Sequence, residues 1–265
     1  MTTYASLHLS DSEILESCRS TPSFSGFVYG IQLVKISELV VKFGVGLKRQ
    51  EADNQEFARR NVDATVLYIP KVYRFFEAQL SGATMGFIVM DYVAGKSLDT
   101  LDISTDPSLA SHTVRAIQHL ETIPPPPGQG PGPVGGGSAQ GYLWSGSGSG
   151  SSFCTVEDME SWMNTRLAAV KQPTISLANH QRLRLRHMDL VRRNILLCPD
   201  LSICFVDWAF AGFYPAIFET HVFRDLIHTD KVWFTQLLEL SEKPGAEDEQ
   251  LLRYLGVPAF VNEKY

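Results

Sequence analysis

The sequence predicts an α+β chain of two lobes, a sheet-rich N-terminal lobe over residues 1–93 and a mainly helical C-terminal lobe over 94–265. Three observations predict it. The first 93 residues hold β-branched and aromatic runs joined by short turns. After Gly95 the apolar residues recur at helical spacing. A single β-rich island, residues 183–208, interrupts the helical part.

Taken in order, Ser10 followed by Glu13 forms a capping box for a first helix with Ile14, Leu15 and Cys18 on its apolar face. Residues 27–44 read as a strand, a tight turn near Ser37-Glu38, and a second strand ending in Val40-Val41-Lys42-Phe43. A charged helical pattern follows over 50–61, then strands near 72–78 and 86–93 joined by a Ser81-Gly82 turn. Residues 107–122 carry Leu109, Val114, Ile117 and Leu120 at helical spacing. The stretch 124–152 is a Pro/Gly/Ser-rich loop around a short Tyr142-Leu143-Trp144 island, and its composition predicts a mobile segment outside any packed core. Thr155 and Asp158 open the next helix, and further helices are expected near 174–182, 215–228, 230–241 and 247–254.

Composition narrows the function classes. Hydrophobic residues make up 44% of the 265, enough for a core without disulfides or metals. The formal net charge of -6 argues against a nucleic-acid partner. Arg182, Arg184 and Arg186 alternate with leucines and read as one solvated strand face. Cys18, Cys154, Cys198 and Cys204 show no zinc spacing and are expected as free thiols. The N-terminus lacks the pattern of a signal peptide, and no apolar run reaches the roughly 18 residues of a membrane span. A cytoplasmic protein without a membrane partner is therefore expected, its oligomeric state unspecified.

The island carries the chemistry. Asn194–Leu197 and Ile203–Val206 flank the turn sequence Cys198-Pro199-Asp200-Leu201-Ser202, so they form a β-hairpin. Folding about Asp200-Leu201 sets Asn194 opposite Asp207; a five-residue turn shifts the register by one. In either register an amide oxygen and a carboxylate come within roughly 5–8 Å, a pair of hard donors suited to Mg²⁺. Asp189, on the loop entering the hairpin, is placed to accept a proton from a substrate hydroxyl. Metal-bound phosphates, an aligned acceptor oxygen and a nearby base are what phosphoryl transfer requires. The spacing His187-x-Asp189-x-x-x-x-Asn194 has roughly 0.01 chance occurrences in a chain of this composition, which favours function over a turn-capping role for the Asp and Asn.

HMDLVRRNILL (187–197), FVDWAFAGFYP (205–215) and Glu219 resemble the aminoglycoside phosphotransferase and choline kinase group, and most of all its fungal members of unassigned substrate. The resemblance runs along most of the chain. It implies the protein kinase-like two-lobed fold, with Asp189 as catalytic base and Asn194 and Asp207 as Mg²⁺ ligands. It also implies that Lys42, in VVKFG, contacts the α and β phosphates and is held by Glu51, with Glu56 as the alternative partner. The backbone of Asp91, Tyr92 and Val93 would meet the purine edge with Met90 packing beside it. His187 would orient its neighbours, and Arg192 and Arg193 are candidates for anion contacts. The implied cofactors are Mg²⁺ and ATP, or GTP, and the partner is a small-molecule phosphate acceptor bearing a hydroxyl or amine.

One departure keeps a second reading open. No GxGxxG precedes Lys42, only Gly26 and Gly30. A catalytically impaired pseudokinase, acting as a nucleotide-binding or interaction module, would share this degenerate loop. The intact Lys42, Asp189, Asn194 and Asp207 speak for an enzyme. The absence of an Ala-Pro-Glu segment after Asp207 speaks against a protein substrate.

Overall fold

The structure is a computed structural model describing residues 9–23 and 30–264; the expected start of the first strand at Phe27, and Gly26, lie outside the described residues. Four antiparallel strands form the N-terminal sheet in the order β1-β2-β4-β3. The chain enters it through α1 (Asp11–Ser20), then runs β1 (Gln32–Ile36), β2 (Leu39–Gly44), α2 (Arg49–Asn61), β3 (Val72–Leu80) and β4 (Ala83–Asp91). The Ser10–Glu13 capping box closes α1 as expected: the Glu13 N–H donates to Ser10 Oγ at 3.3 Å, and the Glu13 carboxylate accepts the Ser10 N–H at 2.7 Å. Ser81 and Gly82 both take positive φ (53° and 84°), the twist that a tight β3–β4 turn needs.

Strand alternation gives the sheet two apolar faces. Val34, Val41, Phe43, Phe87 and Val89 pack beneath Ile14 and Cys18 of α1. Val40, Ile88 and Met90 face the other way, against Ala52 of α2. Lys42 shares the parity of Val40, so its side chain emerges on the α2 side. The chain leading into α2 lies so close to β4 that a Cβ on Gly86 would overlap the Leu47 carbonyl.

The second part holds β5 (Lys96–Ser97), α3 (Ser108–Leu120), α4 (Val156–Ala169), β6 (Arg184–Arg186), β7 (Ile195–Leu197), β8 (Ile203–Phe205), β9 (Gly212–Tyr214), α5 (Ala216–Leu226), α6 (Lys231–Leu240), α7 (Asp248–Tyr254) and α8 (Val257–Lys264). The hairpin β7–β8 takes the five-residue-turn register, Ile195 opposite Phe205 and Leu197 opposite Ile203. β5 extends it to three strands, and β6 pairs with β9. Before β3, Tyr68 joins the edge of β8, donating its N–H to Ile203 O at 2.9 Å and accepting the Phe205 N–H at 3.2 Å. The hairpin is thus stitched to the chain that returns to the N-terminal sheet.

Three expectations are corrected. No helix forms over 174–182. Asn164 of α4 instead binds both the N–H and the carbonyl of Ile175, at 2.8 and 2.9 Å, and Glu160 takes the Leu177 N–H. Side chains of α4 satisfy that backbone, so the segment needs no helix of its own. The arginines do not share one solvated face: Arg186 is buried, its Nη1 at 2.5 Å from Glu121 and 3.4 Å from Glu219.

The third correction concerns residues 124–152, which do not form a loose loop. Ala139, Leu143 and Trp144 are fully buried in the main core, where the Trp144 ring meets Phe153, Trp162, Tyr214 and Phe218. Gly132 bridges Phe213 of β9 with two backbone hydrogen bonds of 3.0 and 2.7 Å. Asn262 of α8 donates to the carbonyls of Trp144 and Gly148, both at 2.9 Å. The glycines supply the left-handed turns this path requires, Gly141 at φ 106° among them. A low apolar fraction suffices because Ala139, Leu143 and Trp144 serve as anchors.

Removing the largest anchor tests this. Trp144→Ala should lower the free energy of unfolding by about 3–5 kcal/mol in a denaturant titration, as for a large aromatic lost from a packed core; a mobile loop would lose almost nothing.

Candidate active site

The site starts from the parity of β2. Lys42 is 7% exposed, and a buried ammonium requires counter-charges. Glu51, in the first turn of α2, places Oε1 2.6 Å from Lys42 Nζ, and Asp207, just past β8, places Oδ1 at 3.0 Å. Burial by itself pushes the ammonium toward losing its proton; Asp207 and Glu51 more than reverse this and hold its pKa above the usual value. For Asp207, burial raises the carboxyl, and Lys42 outweighs it and holds the group below its ordinary range. Glu56 turns away to Arg59 and Arg60, each within 2.8 Å.

Asp189 lies on the loop between β6 and β7. The buried His187 leads into it, packed between Phe205 and Trp208. Its Nδ1 accepts the Asp189 N–H at 3.3 Å, so Nε2, 3.1 Å from the Val206 carbonyl, must carry the proton. Burial drives its pKa down to about 4, so His187 acts as a neutral bracket between the loop and the hairpin. Met188 and Asp207 both take φ 66°, a conformation rarely adopted by side-chain-bearing residues and found here on each side of the same centre. Glu219 holds the first of these turns by accepting the Met188 N–H at 3.1 Å, and Arg186 backs Glu219.

The amide of Asn194 faces the same loop, its Nδ2 donating to Asp189 O at 2.9 Å and to Asp189 Oδ2 at 2.8 Å. Its Oδ1 makes no hydrogen bond among the described residues. The Val206 N–H donates to the Asn194 carbonyl at 3.0 Å and fixes the spacing between Asn194 and the strand end that carries Asp207. The donor set, one uncommitted amide oxygen and one partly exposed carboxylate held ionised by Lys42, fits a hard divalent cation that keeps most of its shell for water and phosphate. Burial, and then the charge of Asp207, raise the Asp189 carboxyl to about 6. A carboxylate so tuned is ionised at neutral pH and still an effective proton acceptor.

Sequence reasoning missed three residues here. The Tyr142 hydroxyl donates to Asp189 Oδ1 at 2.8 Å. Asn54 of α2, fully buried, donates to the carbonyls of Trp208 and Ala211 at 3.0 and 2.8 Å and accepts the Val134 N–H at 2.8 Å. Gln50 reaches the carbonyls of Gly136 and Ser138, both at 3.3 Å. Asn54 and Gln50 thereby tie α2, the loop after Asp207 and the Gly-rich segment into one block. The signal was the helical spacing of Gln50, Glu51 and Asn54 on one face of α2, where Asn54 is an amide that burial obliges to find partners.

The anion candidates separate. Arg192 is committed to structure, with Nε 2.5 Å from Asp230 Oδ2 and Nη1 on the carbonyls of Leu98 and Leu101. Arg193 is exposed, with Nη2 3.7 Å from Asp189 Oδ2. At the end of β4, Met90 is buried, its sulfur accepting from Gln55 Nε2 at 3.4 Å. The Asp91 N–H donates to Lys71 O and the Tyr92 N–H to Glu38 O, each at 3.0 Å. The Val93 N–H makes no hydrogen bond among the described residues.

With this geometry in place, the sequence matches the profile of the phosphotransferase enzyme family over residues 28–242. The chain belongs to that family. It is a phosphotransferase. No curated protein matches it in sequence. Among solved structures, the apo form of a thermostable mutant of the aminoglycoside phosphotransferase APH(4)-Ia is similar, at TM-score 0.61 and 13% identity over 96% of this chain and 89% of that one. A ternary complex of such a mutant with AMP-PNP and hygromycin B reaches TM-score 0.59 at 14% identity, covering 93% and 85%. A microcompartment-associated aminopropanol kinase reaches TM-score 0.55 at 16% identity, covering 96% and 88%. At these identities the likeness establishes the fold, the two-lobed α+β kinase-like architecture. Among the described residues no helix is long and apolar enough to cross a membrane, and the four cysteines are free thiols.

Asn54→Ala would orphan the Val134 N–H and two carbonyls in the interior. It should cost about 1–3 kcal/mol for each group that water cannot reach, read as an early thermal transition.

Proposed function

We propose that this phosphotransferase moves the γ-phosphoryl group of a nucleoside triphosphate, ATP or GTP, onto a hydroxyl or amine of a small molecule, with Mg²⁺ as the metal. The observation that carries the reading is the convergence of Lys42, Glu51, Asp207, Asn194 and Asp189 from four separate segments onto one buried cluster of complementary charge and hydrogen bonds. The similar fold that holds AMP-PNP together with hygromycin B supports a nucleotide and a small acceptor sharing the site.

Each residue then has a role. Lys42, kept charged by two carboxylates, neutralises the α and β phosphates, and Glu51 holds it in place. The Val93 N–H and the neighbouring backbone of Asp91 and Tyr92 take the purine edge, with Met90 lining the base. Asn194 and Asp207 hold Mg²⁺, which offsets phosphate charge when bound. Asp189 accepts the acceptor's proton as the new O–P or N–P bond forms and the γ-phosphorus separates from the β-phosphate oxygen, so that nucleoside diphosphate leaves. Asn194 Nδ2 and the bracket of His187 keep the Asp189 carboxylate aimed during this step. Catalysis is positioning plus charge neutralisation.

Two outcomes test the reading. Asp189→Asn should retain nucleotide affinity within about twofold and lose at least 100-fold in kcat, the usual worth of a general base. A screen of hydroxyl and amine acceptors with ATP and GTP, using Asp189→Asn as the blank, measures it; equal turnover by the variant would remove Asp189 from the mechanism. The base must be ionised to act, and its carboxyl titrates near 6 in the folded protein. Activity should therefore be full above that pH and fall tenfold per unit below it, whereas an unperturbed aspartate would sustain activity to about pH 4.

A further inference from the structure

The acceptor side of the site is defined by which oxygen of Asp189 an acceptor can reach. The side chain is almost wholly buried. Oδ2 is turned into its own loop, accepting from Asn194 Nδ2 at 2.8 Å with Arg193 Nη2 at 3.7 Å. Oδ1 is the remaining oxygen, and the Tyr142 hydroxyl stands on it at 2.8 Å. A general base needs the acceptor's proton within hydrogen-bond reach, and with so little of this carboxylate exposed, the Tyr142 hydroxyl crowds the approach to Oδ1.

Tyr142 is built to be delivered there and to be released. Its neighbours are fixed: Leu143 and Trp144 are buried, and Gly141, at φ 106°, is pressed so close to the Phe210 ring that a Cβ would lie 2.7 Å from it. The Tyr142 ring itself is half-buried and meets Phe210 edge-on, with centroids 5.5 Å apart. Turning it breaks the hydrogen bond to Asp189, the edge contact with Phe210, the interaction with Arg193 and part of its packing on the core. Burial, and then the charge of Asp189, push the phenol's pKa up, so it stays a neutral O–H donor, the same hydrogen-bonding chemistry as an alcohol.

We propose that Tyr142 caps the base within the acceptor site: its hydroxyl holds the Asp189 Oδ1 position until the hydroxyl of an alcohol acceptor exchanges with it. The exchange trades one O–H donor for another. It also keeps water off the base, so that a bound nucleotide is not hydrolysed while no acceptor is present. This inference rests on Asp189 being the base.

The test uses water as the acceptor. Phosphate release from Mg-ATP, with no other acceptor added, is measured for the full-length wild type, Tyr142→Phe, Asp189→Asn and the double variant. Phenylalanine keeps the ring and removes only the hydroxyl, and a melting curve confirms that the fold is kept. Tyr142→Phe should hydrolyse ATP on the order of tenfold faster, the rate equivalent of one hydrogen bond at a charged group. Asp189→Asn should abolish that gain. A purely structural tyrosine would give no gain on losing its hydroxyl. Hydrolysis by Tyr142→Phe at or below the wild-type rate, including none by either protein, overturns the cap. Hydrolysis by the double variant equal to that of Tyr142→Phe instead overturns the assignment of the base, and the two failures are distinct.

Discussion

A buried ammonium cannot be left without a counter-charge, and this constraint organises the structure. Lys42 points from β2 to the α2 side of the sheet because strand alternation sends it there. Once it is buried, a carboxylate must be brought from α2 and another from the strand end beyond β8. The distance between the sheet and the hairpin is therefore set by an ion triad, and the left-handed backbone at Asp207 is tolerated where its carboxylate completes that triad. A buried ion pair is weak evidence for stability by itself, because desolvation offsets much of the attraction. Its function here is placement: it fixes a charged amine and an ionised carboxylate beside Asn194 and Asp189.

The Gly-rich segment is the second organiser. It lies against β9, passes beneath α2, sends Trp144 into the core and ends at α4. The amides of Asn54 and Gln50 fasten it to the helix that carries Glu51. Through Tyr142 the same segment reaches Asp189. Ordering so many glycines costs more backbone entropy than ordering other residues, and the aromatic cluster around Trp144 together with the hydrogen bonds of Asn262 offsets it. An element without regular secondary structure thus links the lysine side of the site to its base.

Much of this was legible in the sequence. The capping boxes at Ser10 and Thr155 mark two helix starts where α1 and α4 begin. The turn residues at Ser81-Gly82 and at 198–202 delimit the hairpins, although periodicity alone left the register of the second one open by a residue. What failed has identifiable causes. Residues 174–182 read as a helix because local patterning does not register that Asn164 and Glu160 satisfy their backbone from α4. Arg186 read as solvated because its partners, Glu121 and Glu219, are far away in sequence. Residues 124–152 read as mobile because composition counts apolar residues without weighing where each one docks.

By itself the sequence determined the order of sheet and helices, the hairpin that brings Asn194 near Asp207, and the spacing of Asp189 from Asn194, because these depend on side-chain alternation, turn chemistry and short chain separations. Only the tertiary structure decided that Glu51 rather than Glu56 meets Lys42, that Arg192 is committed to Asp230 while Arg193 stays exposed, and that Tyr142 stands on Asp189. Those choices depend on which groups lose water together when distant segments pack, and no local pattern encodes that.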